Sequence, residues 1–97
     1  MLLDLSGKKI LVTGIANNRS IAWGIAQQLN AAGAELGITY LPDEKGRFEA
    51  KVKELTSPLN PSLFLPLNVQ NSSQIEEVFE AIKNQWGQID GLVHCLA

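Results

Sequence analysis

Cysteine, histidine and long apolar runs are scarce in this chain of 97 residues. Cys95 and His94 are the only cysteine and the only histidine, so the chain cannot form an internal disulfide. A metal site with three or four such ligands is excluded for the same reason, and we expect both side chains to be buried structural residues. No apolar run is long enough to cross a bilayer.

A strong charge of either sign is also lacking. The formal net charge is -2 and the signs are scattered, so no basic surface for nucleic acid or lipid headgroups is indicated. The first six residues, "MLLDLS", have neither the basic start nor the apolar run of an export signal, which favours a cytoplasmic location. At 45% hydrophobic and 19% charged, the composition is that of one globular unit with a modest core.

Four short apolar segments separate three longer helical patterns. Each segment has four to seven residues rich in Val, Ile and Leu, as expected for strands buried on both faces. They are "KILVT" (Lys9 to Thr13), "ELGITY" (Glu35 to Tyr40), "SLFLPL" (Ser62 to Leu67) and "GLVHCLA" (Gly91 to Ala97).

The helical patterns each have one apolar face. In the first, this face is Ile21, Ile25, Leu29 and Ala32, with Gly33 just past the end. The apolar face of the second helix is Phe48, Val52 and Leu55. That of the third is Ile75, Val78, Phe79, Ile82 and Trp86. Ser73 and Glu76 form a capping box at the start of the third helix, and Gly87 ends it.

This alternation predicts parallel strands joined by right-handed crossovers. The expected fold class is α/β, the N-terminal half of a doubly wound parallel sheet with strand order 3-2-1-4. A ligand is expected in the crevice between the first and fourth strands. The outer edge of the fourth strand and the face carrying the third helix would be poorly covered. We therefore expect residues 1–97 to be the first part of a larger domain, with "SPLNPS" (Ser57 to Ser62) as a loop.

The stretch "VTGIANNRSIAWG" turns a strand into a helix through small and polar residues. The first N–H groups of a helix lack partners and, with the helix dipole, favour an anion such as a pyrophosphate. Gly14 would permit the tight turn, Ser20 would cap the helix and donate to a phosphate, and Gly24 would let helix and strand pack closely. The spacing differs from G-x-G-x-x-G, and by itself it fits either nucleotide binding or ordinary turn chemistry.

The segment "LVTGIANNRSIAWGIAQQL" resembles the cofactor loop of the enoyl-[acyl-carrier-protein] reductases, a divergent branch of the short-chain dehydrogenases. The segments "GAELGITY", "LPLNVQN" and "WGQIDGLVHCLA" are similar to that family's next three strands, in order and at the expected separations. The resemblance implies a Rossmann-type fold, NADH as cofactor and reduction of enoyl thioesters carried on acyl carrier protein in fatty-acid elongation. It also implies a homo-oligomer, a tetramer in this family.

The resemblance further implies a set of cofactor-binding residues. Gly14 and Ile15 would line the pyrophosphate turn, and Ser20 and Ile21 would meet the phosphates at the helix start. Leu41 would border the adenosine ribose, and Asn68 and Val69 would flank the adenine. The nicotinamide-side ribose would lie beside Cys95, Leu96 and Ala97.

Several positions depart from the family's pattern. Leu41 stands where a polar residue is frequent, Asn68 where aspartate is frequent, and "CLA" where many relatives have serine followed by glycine. No acidic residue ends the second strand to bind a ribose 2′-hydroxyl, since Asp43 comes two residues after Leu41. Arg19, Lys45 and Arg47 are candidates for a 2′-phosphate or are solvated surface charges, and the resemblance favours NADH.

The family's catalytic pattern of two tyrosines and a lysine is not found in these 97 residues. Tyr40 is the only tyrosine, and no lysine follows it at four or seven residues. The chain alone is therefore expected to be inactive, with no catalytic residue and no metal site. Two hypotheses stay open: the cofactor-binding part of an oxidoreductase, or a stand-alone nucleotide-binding module. A short-chain dehydrogenase acting on an alcohol or ketone is disfavoured by the long spacing from Gly14 to Ser20 and Gly24.

Overall fold

A computed structural model describes residues 4–94 of the chain. Strands and helices alternate along the chain as the sequence predicts. The elements are β1 (Lys9–Val12), α1 (Ile21–Ala31), β2 (Glu35–Tyr40), α2 (Arg47–Thr56), a short 3₁₀ helix (Ser57–Leu59), β3 (Leu63–Pro66), α3 (Ser72–Gln85) and β4 (Gly91–Val93). The proline-containing segment predicted as a loop thus contains one 3₁₀ turn, which its Pro58 favours near the helix start.

The four strands form one parallel sheet in the order β3-β2-β1-β4, which confirms the predicted fold class and topology. β1 is central, pairing Lys9 with Glu35 on one side and Ile10 with Gly91 on the other. Asp90 fixes the start of β4. Its carboxylate accepts from the Lys9 N–H at 2.8 Å, while its own N–H donates to the Lys9 carbonyl at 2.7 Å.

One face of the sheet packs against α1 and α2. Alternate residues of the two central strands point to this side, as the period of two requires. The core there consists of buried residues from β1, β2, α1 and α2, with Ile15 and Ala34 from the loops: Ile10, Val12, Ile15, Ala22, Ala26, Ala34, Leu36, Ile38, Tyr40 and Val52.

The opposite face packs against α3 alone among the described elements. Leu11 and Leu63 of the sheet pack in one cluster with Val78 and Ile82 of the helix and with Trp86, the residue that follows it. The Trp86 indole N–H donates to Ser62 Oγ at 2.9 Å, and Ser62 Oγ donates to a Glu35 carboxylate oxygen at 3.0 Å. The buried indole is therefore fully hydrogen-bonded, which burial of a tryptophan generally requires.

Large apolar side chains of this second face stay exposed. Phe79, predicted to be on the buried face of α3, is 63% exposed, and Leu92 of β4 is 58% exposed. With Ile89 and Val69 they border a groove of about 260 Å³. The predicted poor cover of this face is confirmed within residues 4–94.

The buried face of α1 differs from the predicted one. Ile21 is 77% exposed, whereas Ala22 and Ala26 are fully buried against the sheet. The small alanine side chains allow the helix backbone to lie close to β1 and β2. Gly24 does not serve that purpose, because a Cβ built on it would meet nothing within 4 Å.

The predicted capping box of α3 is also wrong. Asn71 is the N-cap, and its Oδ1 accepts from the N–H groups of Ser73 and Gln74 at 3.0 and 3.3 Å. Asparagine suits this position because its side-chain oxygen reaches the second and third helical N–H groups. The helix ends were predicted correctly, since Gly33 and Gly87 follow α1 and α3 with positive φ angles.

Gly37 is a close-packed position that the sequence patterns did not reveal. A Cβ there would lie 2.8 Å from a ring carbon of Trp86 and 3.1 Å from Leu11. We expect Gly37→Ala to lower the free energy of unfolding by about 1–3 kcal/mol because the core would be overpacked.

Gly24→Ala is the matched control for this substitution. Gly24 lies inside α1 with open space around it, so alanine should leave stability unchanged or raise it by up to ~1 kcal/mol through helix propensity. Urea unfolding of both variants measures the two free energies. Equal stability of Gly37→Ala and the parent chain would contradict the packing described for α3.

Candidate functional site

A cleft of about 460 Å³ lies at the carboxyl ends of β1, β2 and β3, whereas the sequence predicted the crevice between the first and fourth strands. In open parallel sheets this edge is where ligands bind. Three segments form it, and each lies at the end of a strand or directly after it. Its lining residues are Gly14, Ile15, Ala16, Thr39, Tyr40, Leu41, Leu67, Asn68, Val69 and Gln70.

The turn after β1 forms the floor of this cleft. Thr13 is held by the neighbouring strand, since both its N–H and its hydroxyl donate to the Val93 carbonyl, at 3.0 and 2.9 Å. Gly14 follows with φ +89°, a conformation that glycine adopts without strain. The predicted role of Gly14 in permitting the turn is therefore confirmed. The Ile15 side chain is 2% exposed in the core, so Ile15 can offer a ligand little besides its backbone.

Ser20 organises the rest of the loop. It occupies the N-cap position of α1 but makes no side-chain bond to the helix, contrary to the predicted cap. Its Oγ instead accepts from the N–H groups of Ala16 and Asn17, at 3.0 and 3.1 Å. A hydroxyl that accepts two hydrogen bonds still has its proton to donate. Ser20 thus links the end of the loop to its beginning, and its hydroxyl proton remains available to donate to a ligand.

The start of α1 carries the features of an anion site. The N–H groups of Ile21 and Ala22 have no intrahelical acceptor, as at any helix start. The first turn contains no acidic side chain to neutralise the dipole. Ile21 itself projects into solvent, so its part in the site is carried by its backbone N–H.

The other wall of the cleft comes from the segments after β2 and β3. Leu41 and Val69 are 53% and 51% exposed and both line the cleft, which gives a flat ring two apolar side chains to contact. Asn68 Oδ1 accepts from the Gln70 N–H at 3.0 Å. The Asn68 amide N–H₂ makes no hydrogen bond within residues 4–94 and can donate to a ligand.

Asp43 is occupied elsewhere. Its Oδ1 accepts from the Phe48 N–H at 3.2 Å at the start of α2, and its carbonyl accepts from the Gly46 N–H. This carboxylate thus caps the start of α2. The nearby cations Arg19, Lys45 and Arg47 are exposed.

Tyr40 ends β2 beneath the cleft. Its ring is 8% exposed and stacks on Phe64 with a centroid separation of 4.8 Å. Burial raises the pKa of the phenol above its ordinary value, and the negative charge of Glu49 raises it further. Tyr40 therefore stays protonated at neutral pH and packs in the core.

Five of the predicted cofactor-binding residues meet in one cleft: Gly14, Ile15, Leu41, Asn68 and Val69. Ser20 and Ile21 lie at the adjoining helix start. Cys95, Leu96 and Ala97 lie outside the described residues. The prediction of a buried His94 is wrong, because this side chain is exposed beside the second groove, next to β4 at the sheet edge.

The cleft includes five residues that the sequence reading did not assign: Ala16, Thr39, Tyr40, Leu67 and Gln70. Four of them directly adjoin an assigned residue in the sequence and Thr39 is two positions from Leu41, so position at a strand end is the signal that identifies them. Within residues 4–94 no three Asp, Glu, His or Cys side chains converge as metal ligands. No helix in that part of the chain is both long enough and apolar enough to cross a membrane.

The family model described as enoyl-(acyl carrier protein) reductase matches residues 14–97. The chain belongs to the enoyl-(acyl carrier protein) reductase family. A Nostoc sp. relative named enoyl-[acyl-carrier-protein] reductase [NADH] FabI is 71% identical over 96 residues, which is 99% of this chain and 37% of the relative. The chain therefore spans little more than a third of that relative's length.

Solved structures of two reductases share the fold described above. The enzyme from Anaplasma phagocytophilum in complex with NAD has 35% identity and a TM-score of 0.86, covering 97% of this chain and 35% of that one. The Bacillus cereus enoyl-acyl carrier protein reductase with NADP+ and indole naphthyridinone has 44% identity and a TM-score of 0.84. The match covers 95% of this chain and 35% of the Bacillus cereus chain.

The raised pKa of Tyr40 can be measured directly in this reductase-family chain because Tyr40 is its only tyrosine. We expect absorbance at 295 nm to titrate above the midpoint of about 10 found in the urea-unfolded chain. Since the folded state holds the phenolic proton more tightly, unfolding should become easier as the pH rises past about 10.

Glu49→Gln is the control, because it removes the charge and keeps the size. Its folded midpoint should lie between those of the parent and the unfolded chain, with circular dichroism used to verify folding at each pH. A folded parent midpoint at or below the unfolded one would contradict the burial of Tyr40.

Proposed function

We propose that this chain supplies the cofactor-binding part of an NADH-dependent enoyl-[acyl-carrier-protein] reductase. The reaction is reduction of a trans-2-enoyl group on acyl carrier protein during fatty-acid elongation. The observation that carries the proposal is the cleft at the strand ends, which joins the Gly14 turn to the Leu41 and Asn68 segments in a member of this family.

The residues present fit a dinucleotide. The pyrophosphate would be held by the Gly14 turn, the Ser20 hydroxyl and the N–H groups at the start of α1. Leu41 and Val69 would contact the adenosine half, with the Asn68 amide beside the adenine. Cys95, Leu96 and Ala97 follow β4 and would border the nicotinamide-side ribose.

The bound cofactor would supply a hydride to the β-carbon of the enoyl thioester. The chain's own residues bind and orient that cofactor, and the apolar walls of the cleft keep water from the adenine. Tyr40 does not serve as the acid that assists reduction, because its phenol is buried against Phe64. We infer that tyrosine and lysine side chains corresponding to the unmatched length of the relatives provide that step.

We also propose that residues 1–97 form one part of a larger Rossmann-type domain. Support comes from the exposed apolar groove bordered by Phe79, Leu92, Ile89 and Val69, and from the 37% coverage of the Nostoc relative. A cytoplasmic homo-oligomer is the expected setting by family resemblance. The alternative, a nucleotide-binding module without catalysis, is favoured by the burial of the only tyrosine in these residues.

The end of β2 carries neither of the side chains that usually decide between NADH and NADPH. No acidic side chain faces the ribose there, since Asp43 is bonded to the start of α2. Arg19, Lys45 and Arg47 are exposed and are not held toward the cleft by any hydrogen bond of their side chains among the described residues. We propose NADH as the preferred cofactor because the Nostoc relative is named for NADH. Since the Bacillus cereus relative was solved with NADP+, the binding test also includes NADPH.

The binding test uses the 97-residue chain. We expect saturable NADH binding, measured by nicotinamide fluorescence, with weaker binding of NADPH. Ser20→Ala removes the acceptor of two loop N–H groups and one donor, so the Kd for NADH should rise by roughly tenfold.

Ser57→Ala is the control for that substitution. Ser57 is exposed and begins the 3₁₀ helix on the segment leading to the amino end of β3, and its replacement should leave the Kd unchanged. A folded parent chain that shows no saturable NADH binding would refute the cofactor-binding proposal.

The catalytic proposal is tested in a hybrid protein. The corresponding 96 residues of the Nostoc enzyme are replaced by this chain, and oxidation of NADH at 340 nm is followed with a trans-2-enoyl acyl carrier protein. We expect activity in the hybrid, strongly reduced by Ser20→Ala, and none in the 97-residue chain alone. A folded hybrid that binds NADH without oxidising it would favour the non-catalytic module.

A further inference from the structure

One side chain of α3 reaches back to the segment that follows β3. Gln74 Oε1 accepts from the Asn68 backbone N–H at 2.7 Å, and the bond is partly buried. We propose that Gln74 is a positioning residue that holds Asn68 and Val69 in place to read the adenine edge. The inference rests on the proposed dinucleotide site.

The Asn68 N–H needs this partner because the sheet ends just before it. The Leu67 N–H makes the last bond to β2, donating to the Tyr40 carbonyl at 2.8 Å. The next N–H, that of Asn68, lies beyond the end of the sheet ladder. Gln74 supplies its acceptor, so the segment leaves the sheet in a fixed direction.

The remaining polar groups of Asn68 are fixed by the same short segment. Its carbonyl accepts from the Asn71 N–H at 2.8 Å, and its Oδ1 accepts from the Gln70 N–H at 3.0 Å. The backbone of Asn68 is thus bonded at both its N–H and its carbonyl, while the side-chain N–H₂ is the group left to donate. Only the bond to Gln74 connects this arrangement to a side chain of α3.

Gln74 is available for this task because of how α3 begins. A glutamine at the third helical position ordinarily bonds the N–H of the N-cap residue. Here the Asn71 N–H is already bonded to the Asn68 carbonyl, so Gln74 extends to Asn68 itself. A helix-capping role and a positioning role therefore predict different measurements.

The distinguishing ligand pair is NADH and its hypoxanthine analogue, which differ only at the adenine edge. If a backbone N–H of this segment, such as that of Val69, donates to N1 of adenine, it would oppose the N1–H of hypoxanthine, so the parent chain should bind NADH more tightly than the analogue. Gln74→Met keeps the side-chain length and removes the acceptor. We expect it to weaken NADH binding by roughly five- to tenfold and to bring the two Kd values close together.

Two further variants complete the experiment. Gln74→Glu keeps an acceptor oxygen at the same reach and should restore the preference for NADH. Gln85→Met makes the same chemical change on the last turn of α3, where Gln85 is exposed and forms no side-chain hydrogen bond within residues 4–94, and it should bind as the parent does. Thermal melts verify that all three variants are folded.

The outcomes separate this inference from the proposed function. If the parent chain binds neither dinucleotide, the proposed function fails and the inference falls with it. If the parent prefers NADH and Gln74→Met keeps the same preference with lower stability only, Gln74 is a capping residue and the inference is overturned. A parent that binds both ligands equally overturns it as well, while leaving NADH binding intact.

Discussion

The placement of β1 at the centre of a parallel sheet is the constraint on which the rest of the structure depends. β1 pairs with β2 and β4, contributes Ile10 and Val12 to one core, and contributes Leu11 to the other. Because parallel strands point the same way, the segments after β1, β2 and β3 converge on one edge. The Gly14 turn begins where β1 stops, so the cleft is a direct result of this arrangement.

The loops around the cleft are held mainly by their own polar side chains. Ser20 bonds two N–H groups of the first loop, Asn68 and Gln74 bond those of the loop before α3, and Asn71 bonds those of the first turn of α3. Loop N–H groups without sheet partners need such acceptors when they are partly buried. Because these bonds already hold the loops in one conformation, less conformational entropy would be lost when a ligand binds.

The two faces of the sheet are covered unequally. α1 and α2 enclose one core, whereas α3 covers the other only in part and leaves Phe79 and Leu92 exposed. A contiguous apolar groove of this kind is characteristic of a surface that packs against further polypeptide. The proposal that residues 1–97 are part of a larger domain would give this groove a covering segment.

The sequence predicted element types and strand order, since these depend on local periodicity and on glycine and proline positions. The family resemblance implied the segments that form the cleft. The sequence patterns failed where two elements must meet. Ile21 fits the helical period yet is exposed, because Ala22 and Ala26 allow the closer approach to the sheet. Asn71 took the capping position expected for Ser73, and the family resemblance gave Ser20 and Asn68 but not their bonding partners.

Local pattern thus determined the α/β order, the parallel topology and the glycine turn, because each follows from residues close together in the chain. Tertiary structure decided which face of α1 is buried, why Gly37 has no side chain and how Gln74 reaches Asn68. Those features depend on the distance between elements that the chain brings together only on folding. Trp86 packs against Gly37, although the two residues are 49 positions apart in the sequence. Because the contact joins distant parts of the chain, no local sequence pattern could predict it.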